Sequence, residues 1–206
     1  MIVSGSPHDL SRPNASLAIL DVGFARRRRS CGLLLPTGVA QCVSFGEARS
    51  LLTDLLAASA APLNLVIEAP LSVAFSSDGN PTGRSIESRD GHSRYWYVGL
   101  GTSVMVAALY LIRALAATRS AFPVLLFEGF VSFKPAASDH LADVAALRQV
   151  ISNPRTYTTH IVAPEALRAA PTDTVASAGQ ICGIDFGIPY VISDRRLTPA
   201  CSGLAT

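Results

Sequence analysis

The stretch S-L-A-I-L-D-V-G-F at 16–24 is a β-type apolar run with one carboxylate, Asp21, set inside it. The arginine block at 26–29 interrupts it, and the run resumes as C-G-L-L-L-P at 31–36. After the turn signal P-T-G at 36–38 comes a third run, Q-C-V-S-F at 41–45. Three short runs joined by charged or Pro/Gly turns predict an antiparallel meander.

Beyond the meander the period changes. Ala48, Leu51, Leu52, Leu55 and Leu56 stand at helical spacing within 46–61, and Pro62 stops the helix. N-L-V-I-E-A-P at 64–70 and F-P-V-L-L-F-E-G-F at 122–130 are continuous apolar runs of the kind found in strands covered on both faces. Between them lie a polar loop at 76–93 and an apolar helix at 95–117. A capped helix follows Ser138 and Asp139, carries Leu141, Val144, Leu147, Val150 and Ile151, and stops before Asn153-Pro154. The segment 156–162 is strand-like, a last helix opens at Thr172 or Asp173, and 187–192 adds a final strand. The order predicts an α/β fold in which the first strand pairs in parallel with the fourth through a right-handed crossover. Residues 1–15 read as a loose tail, 16–196 as one domain and 197–206 as a second tail.

Of the 206 residues 49% are hydrophobic and 16% charged, which excludes a disordered chain. A net charge of +2 is too small to draw in nucleic acid or membrane by itself, so any such partner needs a local patch. Cys31, Cys42, Cys182 and Cys201 form no C-x-x-C pair, and the polar opening is no signal peptide, which together point to the reducing cytosol. Residues 95–112 carry no charge, the minimum for a membrane span. Gly99, Gly101, Thr102 and Ser103 in that run, and two strands in need of a covering layer, assign it instead to a buried core helix with no membrane.

An ionised carboxylate within an apolar strand needs a partner. Glu68 closes the fourth strand, and adjacent strands lie about 4.8 Å apart, so Asp21 and Glu68 at one level would repel without a cation. Oxygen-only ligands, few in number, suit Mg²⁺ or Mn²⁺, which also bind phosphate. Glu128 closes the next strand, and two of the chain's five glutamates thus end its two most apolar strands.

The element order, with L-D-V-G-F at 20–24, V-I-E-A-P at 66–70, F-E-G-F-V-S-F at 127–133 and D-T-V-A-S-A at 173–178, resembles the RNase H-like superfamily. Within it the chain is most similar to the uncharacterised RNase H-like nucleases, and more distantly to Holliday-junction resolvases. The resemblance implies a mixed five-stranded sheet with helices on both faces. It also implies metal ligands Asp21, Glu68 and Asp173, with Glu128 as a further catalytic acid of the narrower family and Asp185 as either a second late acid or a turn residue. The implied activity is two-metal hydrolysis of phosphodiester bonds in DNA or RNA. Arg27, Arg28, Arg84, Arg94 and Lys134 are the candidate substrate-binding cations, although the arginine block at 26–29 reads slightly better as a solvated hairpin tip than as a phosphate clamp. The oligomeric state stays open, a homodimer among the options. The competing readings are a non-catalytic module binding nucleic acid or protein, and an actin-like nucleotide-binding ATPase or kinase, for which the chain is too short.

Overall fold

The computed structural model describes residues 1–12, 16–23, 28–36, 38–89, 92–93, 99–131 and 139–194. The chain opens with strand β1 (Ile2–Ser4) and a helical turn α1 (Pro7–Leu10), and the meander is β2 (Ser16–Asp21), β3 (Cys31–Leu34) and β4 (Gln41–Val43). Helix α2 (Phe45–Ala57) leads to β5 (Leu63–Glu68), and β6 (Ser72–Phe75), β7 (Pro81–Thr82), β8 (Ser88–Arg89) and β9 (His92–Ser93) follow. Then come α3 (Leu100–Ala117), β10 (Val124–Phe130), α4 (His140–Ile151), α5 (Tyr157–His160), β11 (Ile161–Val162), β12 (Thr174–Ser177) and β13 (Val191–Ser193).

Among the described residues the main sheet holds eight strands in the order β11-β13-β10-β5-β2-β3-β4, with β1 also on β10. β2 runs parallel to β5 and β5 to β10, whereas β3 is antiparallel to β2 and β4 to β3. The mixed α/β layout and the parallel pairing of first and fourth meander-numbered strands are therefore as expected. The sheet is wider than five strands, because the outer edge of β10 is covered in two halves. Its first half pairs with β1 and its second with β13. An apolar strand left at a sheet edge invites pairing, and these two short strands satisfy it.

The tail expected at 1–15 is correspondingly not loose where it is described. Ile2 lies beside Val124, and Gly5 donates to the Leu126 carbonyl. Gly5 has no room for a side chain, since a Cβ would meet the Phe127 ring at 2.3 Å. Asp9 accepts from the Ser6 amide and hydroxyl, at 2.8 and 2.7 Å, and pairs with Arg12.

Side chains alternate across the sheet. Ala18, Leu20, Leu63, Leu65, Ile67, Val124 and Leu126 face α2 and α3, whereas Ile19, Val66, Leu125 and Phe127 face α4. Helix α2 starts from a reciprocal cap between Ser44 and Glu47 and buries Ala48, Leu52 and Leu56. Helix α3 is long and apolar enough to cross a membrane, a property that the core helix of a soluble protein shares. Here Met105, Ala108, Leu109, Leu111, Ile112 and Leu115 are buried, while Val106 and Tyr110 face outward.

The last helix expected from Thr172 or Asp173 is absent. T-V-A-S at 174–177 forms β12, antiparallel to β6, and a short 3₁₀ turn, Ala178–Cys182, follows. The small residues there serve close packing, since a Cβ on Gly179 would meet the Ile184 carbonyl oxygen at 2.2 Å. Pairing with β6 supplies the backbone partners that a helix would otherwise provide.

Candidate metal centre

Asp21 and Glu68 are direct register partners at the ends of β2 and β5. Their parity with Ile19 and Val66 sends both toward the face covered by α4. That helix begins with Asp139, whose Oδ1 accepts from the Ala142 amide at 2.7 Å. Its first turn presents His140 and Asp143, three residues apart and so on one face. Below Asp143 the same stripe continues as Val144, Leu147, Val150 and Ile151, all in the core against the sheet.

Two glycines let this turn sit close. A Cβ on Gly32, opposite Asp21 in β3, would meet the His140 carbonyl oxygen at 2.3 Å. A Cβ on Gly23 would meet the Ser30 carbonyl oxygen at 1.5 Å and His140 Nε2 at 2.5 Å.

The result is a group of three carboxylates, Asp21, Glu68 and Asp143, each offering an oxygen within 4.8 Å of the others. Asp21 is 1% and Asp143 5% exposed, and Glu68 is half-buried. Ligand oxygens on opposite sides of one hard divalent ion lie roughly 4 to 5 Å apart for bond lengths of 2.0–2.6 Å, so the group fits a single coordination sphere. Gathering three acids in low dielectric without a cation would be costly. His140 Nδ1 lies 2.8 Å from Asp21 Oδ2 and restrains its rotation. Nearby Cys31 stays a thiol: burial pushes its pKa up, opposed by a hydrogen bond with the Gly23 backbone and reinforced by the charge of Asp21. The donor set is thus oxygen with one imidazole alongside, suited to Mg²⁺ or Mn²⁺ rather than to a thiophilic metal.

Of the acids singled out in the sequence, the structure brings together Asp21 and Glu68. Asp173 lies in the turn before β12, where its Oδ2 accepts from the Ala170 amide at 2.8 Å. Its place in the group is taken by Asp143. Asp185 is a turn residue, with Oδ1 accepting from the Gly187 amide at 3.0 Å. Glu128 is on the other face of the sheet, because it is level with Ile67 and the residue level with Glu68 is Gly129.

There Glu128 meets Arg84, and both side chains are fully buried, as is Glu87. Arg84 Nη1 donates to Glu128 Oε2 at 2.9 Å and to Ser72 Oγ at 2.8 Å, with Glu128 Oε1 in charge contact at 2.8 Å. Arg84 Nε donates to Glu87 Oε1 at 2.8 Å. Arg84 is therefore an internal counterion and presents nothing to a substrate. Arg28 is exposed on the β2–β3 connection, and Arg27, Arg94 and Lys134 fall outside the described residues.

Burial raises the pKa of Glu87 and the charge of Glu128 adds to it, while Arg84 works the other way. A carboxyl whose folded pKa is raised contributes stability that is fully present below the ordinary glutamate range and is lost as pH rises through the folded value. The melting temperature is accordingly expected to fall from about pH 5 upward through this term. In Glu87→Gln, whose amide imitates the protonated acid, the fall should flatten. Thermal melts of the two proteins across pH 5–8 check this, and parallel curves would refute it.

The residues missed in the sequence are Asp143 and His140. Their signal was present in D-H-L-A-D at 139–143, where Asp143 stands in the stripe continued by Leu147 and Val150 as Asp21 stands in its strand. Comparison with known proteins finds no matching family model, no matching curated protein and no matching solved structure.

Proposed function

We propose that the protein is a divalent-metal-dependent nuclease that hydrolyses phosphodiester bonds in DNA or RNA, with Asp21, Glu68 and Asp143 as the metal-holding carboxylates. The observation that carries this reading is the convergence of three acids from separate elements, two of them buried, on one spot at the strand ends. Binding sites in sheets of this kind gather where parallel strands end.

The five strands from the meander through β10 support an RNase H-like core. Taken in chain order they lie third, second, first, fourth and fifth across the sheet, with only the second antiparallel to the rest of the set. The departure from the resemblance is that the late acid comes from the helix after the fifth strand, at Asp143, and not from Asp173.

The chemistry that bound Mg²⁺ or Mn²⁺ supplies in such sites is a water deprotonated near neutral pH and compensation of charge on the phosphate. The chain's own groups provide the setting. Asp21 is held by His140 and is buried, and Glu68 is the most exposed of the three acids. Arg28, exposed on the β2–β3 connection, contributes a phosphate contact that positions the strand without reading its sequence.

The test is cleavage of single-stranded, double-stranded, branched and hybrid nucleic acids with Mn²⁺ or Mg²⁺, using Asp143→Asn as the control. Cleavage by the wild type, lost in Asp143→Asn and retained in Asp173→Asn, is the expected result. Absence of cleavage across all substrates with either ion would refute the reading.

A further inference from the structure

We propose that Glu128 is a positioning residue for Glu68, acting from the opposite face of the sheet through the backbone of Leu71. The inference rests on the metal-binding reading of Asp21, Glu68 and Asp143.

Asp21 and Glu68 are register partners and each is the last residue of its strand; Asp21 is held further by His140, and Asp143 by a capped helix packed on the sheet. The freedom that the register leaves to Glu68 depends on how the chain leaves the sheet after it. That exit is tight. The Ala69 amide folds back to the Ile67 carbonyl at 2.9 Å, Pro70 follows, and the Leu71 side chain enters the core on the α2–α3 face. Both backbone groups of Leu71 are then held. Its carbonyl accepts from the Ala178 amide at 2.9 Å, and its amide donates to Glu128 Oε2 at 2.8 Å.

Glu128 can hold that amide because Arg84 fixes its carboxylate, and Arg84 is in turn bound to Ser72, the residue after Leu71. The clamp therefore grips two consecutive residues of the exit, at Leu71 through Glu128 and at Ser72 through Arg84. The next strand also leaves Glu68 little freedom sideways, since Gly129 is so near that a Cβ there would stand 3.5 Å from the Glu68 Cα. A buried ion pair with no access to solvent or substrate thus sets the height of a ligand on the far side of the sheet.

The experiment is calorimetric titration of MnCl₂ into the wild type and Glu128→Gln, with melting curves of both without metal. In Glu128→Gln the amide oxygen can take the place of Oε2, but the amide NH₂ then stands against Arg84 Nη1 where Oε1 was, donor to donor, and the charge that holds the guanidinium in the clamp is gone. Groups that orient metal ligands typically contribute about 10- to 100-fold in affinity, so Mn²⁺ binding at least about tenfold weaker is expected. Ser72→Ala, which keeps every charge, should show a smaller loss in the same direction. Equal Mn²⁺ affinity in wild type and both variants, whatever their melting temperatures, would overturn the positioning role and leave the metal centre standing. A wild type that binds no Mn²⁺ would remove both.

A variant-free readout guards against Glu128→Gln failing to fold. Coupling is reciprocal, so Mn²⁺ should slow hydrogen exchange at the Leu71 amide of the wild type. Exchange there indifferent to Mn²⁺ in a protein that binds it would likewise overturn the inference.

Discussion

Arg84→Met is expected to destabilise the fold by about 3–5 kcal/mol, the usual cost of removing one partner from a buried ion pair. The substitution keeps an apolar stem of similar length, so the loss is electrostatic rather than a matter of volume. Burial is the largest influence on the guanidinium and disfavours its charge, yet the two carboxylates more than offset it and its pKa is raised. With the arginine gone, Glu87 and Glu128 stay fully buried, with no other cation among the described residues paired to either. A domain's whole stability is about 5–15 kcal/mol, so the variant is expected to lie near the threshold of folding at room temperature. Urea denaturation followed by circular dichroism measures the loss. Arg84→Met combined with Glu87→Gln and Glu128→Gln should recover part of it, since the triple variant leaves no uncompensated charge buried. A single variant that melts like the wild type would show that the cluster carries no net electrostatic work.

The second large effect concerns Mn²⁺. Wild type is expected to gain about 2.7 kcal/mol of stability at a free Mn²⁺ concentration one hundred times the dissociation constant. Asp21→Asn and Asp143→Asn should each gain much less and show no metal-dependent cleavage. Without metal both should be as stable as wild type or slightly more so, because each removes one negative charge from a crowded group while the amide oxygen of the former can still face His140. Asp173→Asn should respond to Mn²⁺ like the wild type, its carboxylate being engaged with the Ala170 amide. Melting curves with and without Mn²⁺ distinguish these outcomes. Equal stabilisation of wild type and Asp21→Asn, or unfolding of Asp21→Asn without metal, would make Asp21 a structural acid.

The meander, the two buried strands and the pairing of Asp21 with Glu68 were legible in the sequence, because each rests on a long apolar run whose strand ends fall level once β2 and β5 are parallel. Glu128 was misplaced for want of parity. Strand ends that look alike in sequence face opposite ways when the register offsets them by one residue, and Glu128 is level with Ile67. Asp143 went unseen because the helix was read from its apolar positions alone, although an acid within such a stripe is as much in need of a partner as one within a strand. β1 and β12 were beyond local reading. A strand of three residues has no pattern of its own, and the four of β12 owe their conformation to β6. In both, tertiary pairing decides the structure and local propensity does not.

The divided edge of β10 also constrains the order of events during synthesis. β1 leaves the ribosome long before the strand it pairs with, and the other half of that edge is closed only by β13, whose lead-in carries the Phe186 carbonyl that accepts from the Ser4 amide and hydroxyl. Until residues 186–193 emerge, the most apolar strand of the sheet has an open flank, and the early segment that will seal half of it has only part of its bonding. Contacts so distant in sequence make folding slow and late, with a nascent chain that exposes a pairing edge for most of its elongation. Production at low temperature or with abundant holdase chaperones should therefore raise the folded yield far more than any change to the mature surface.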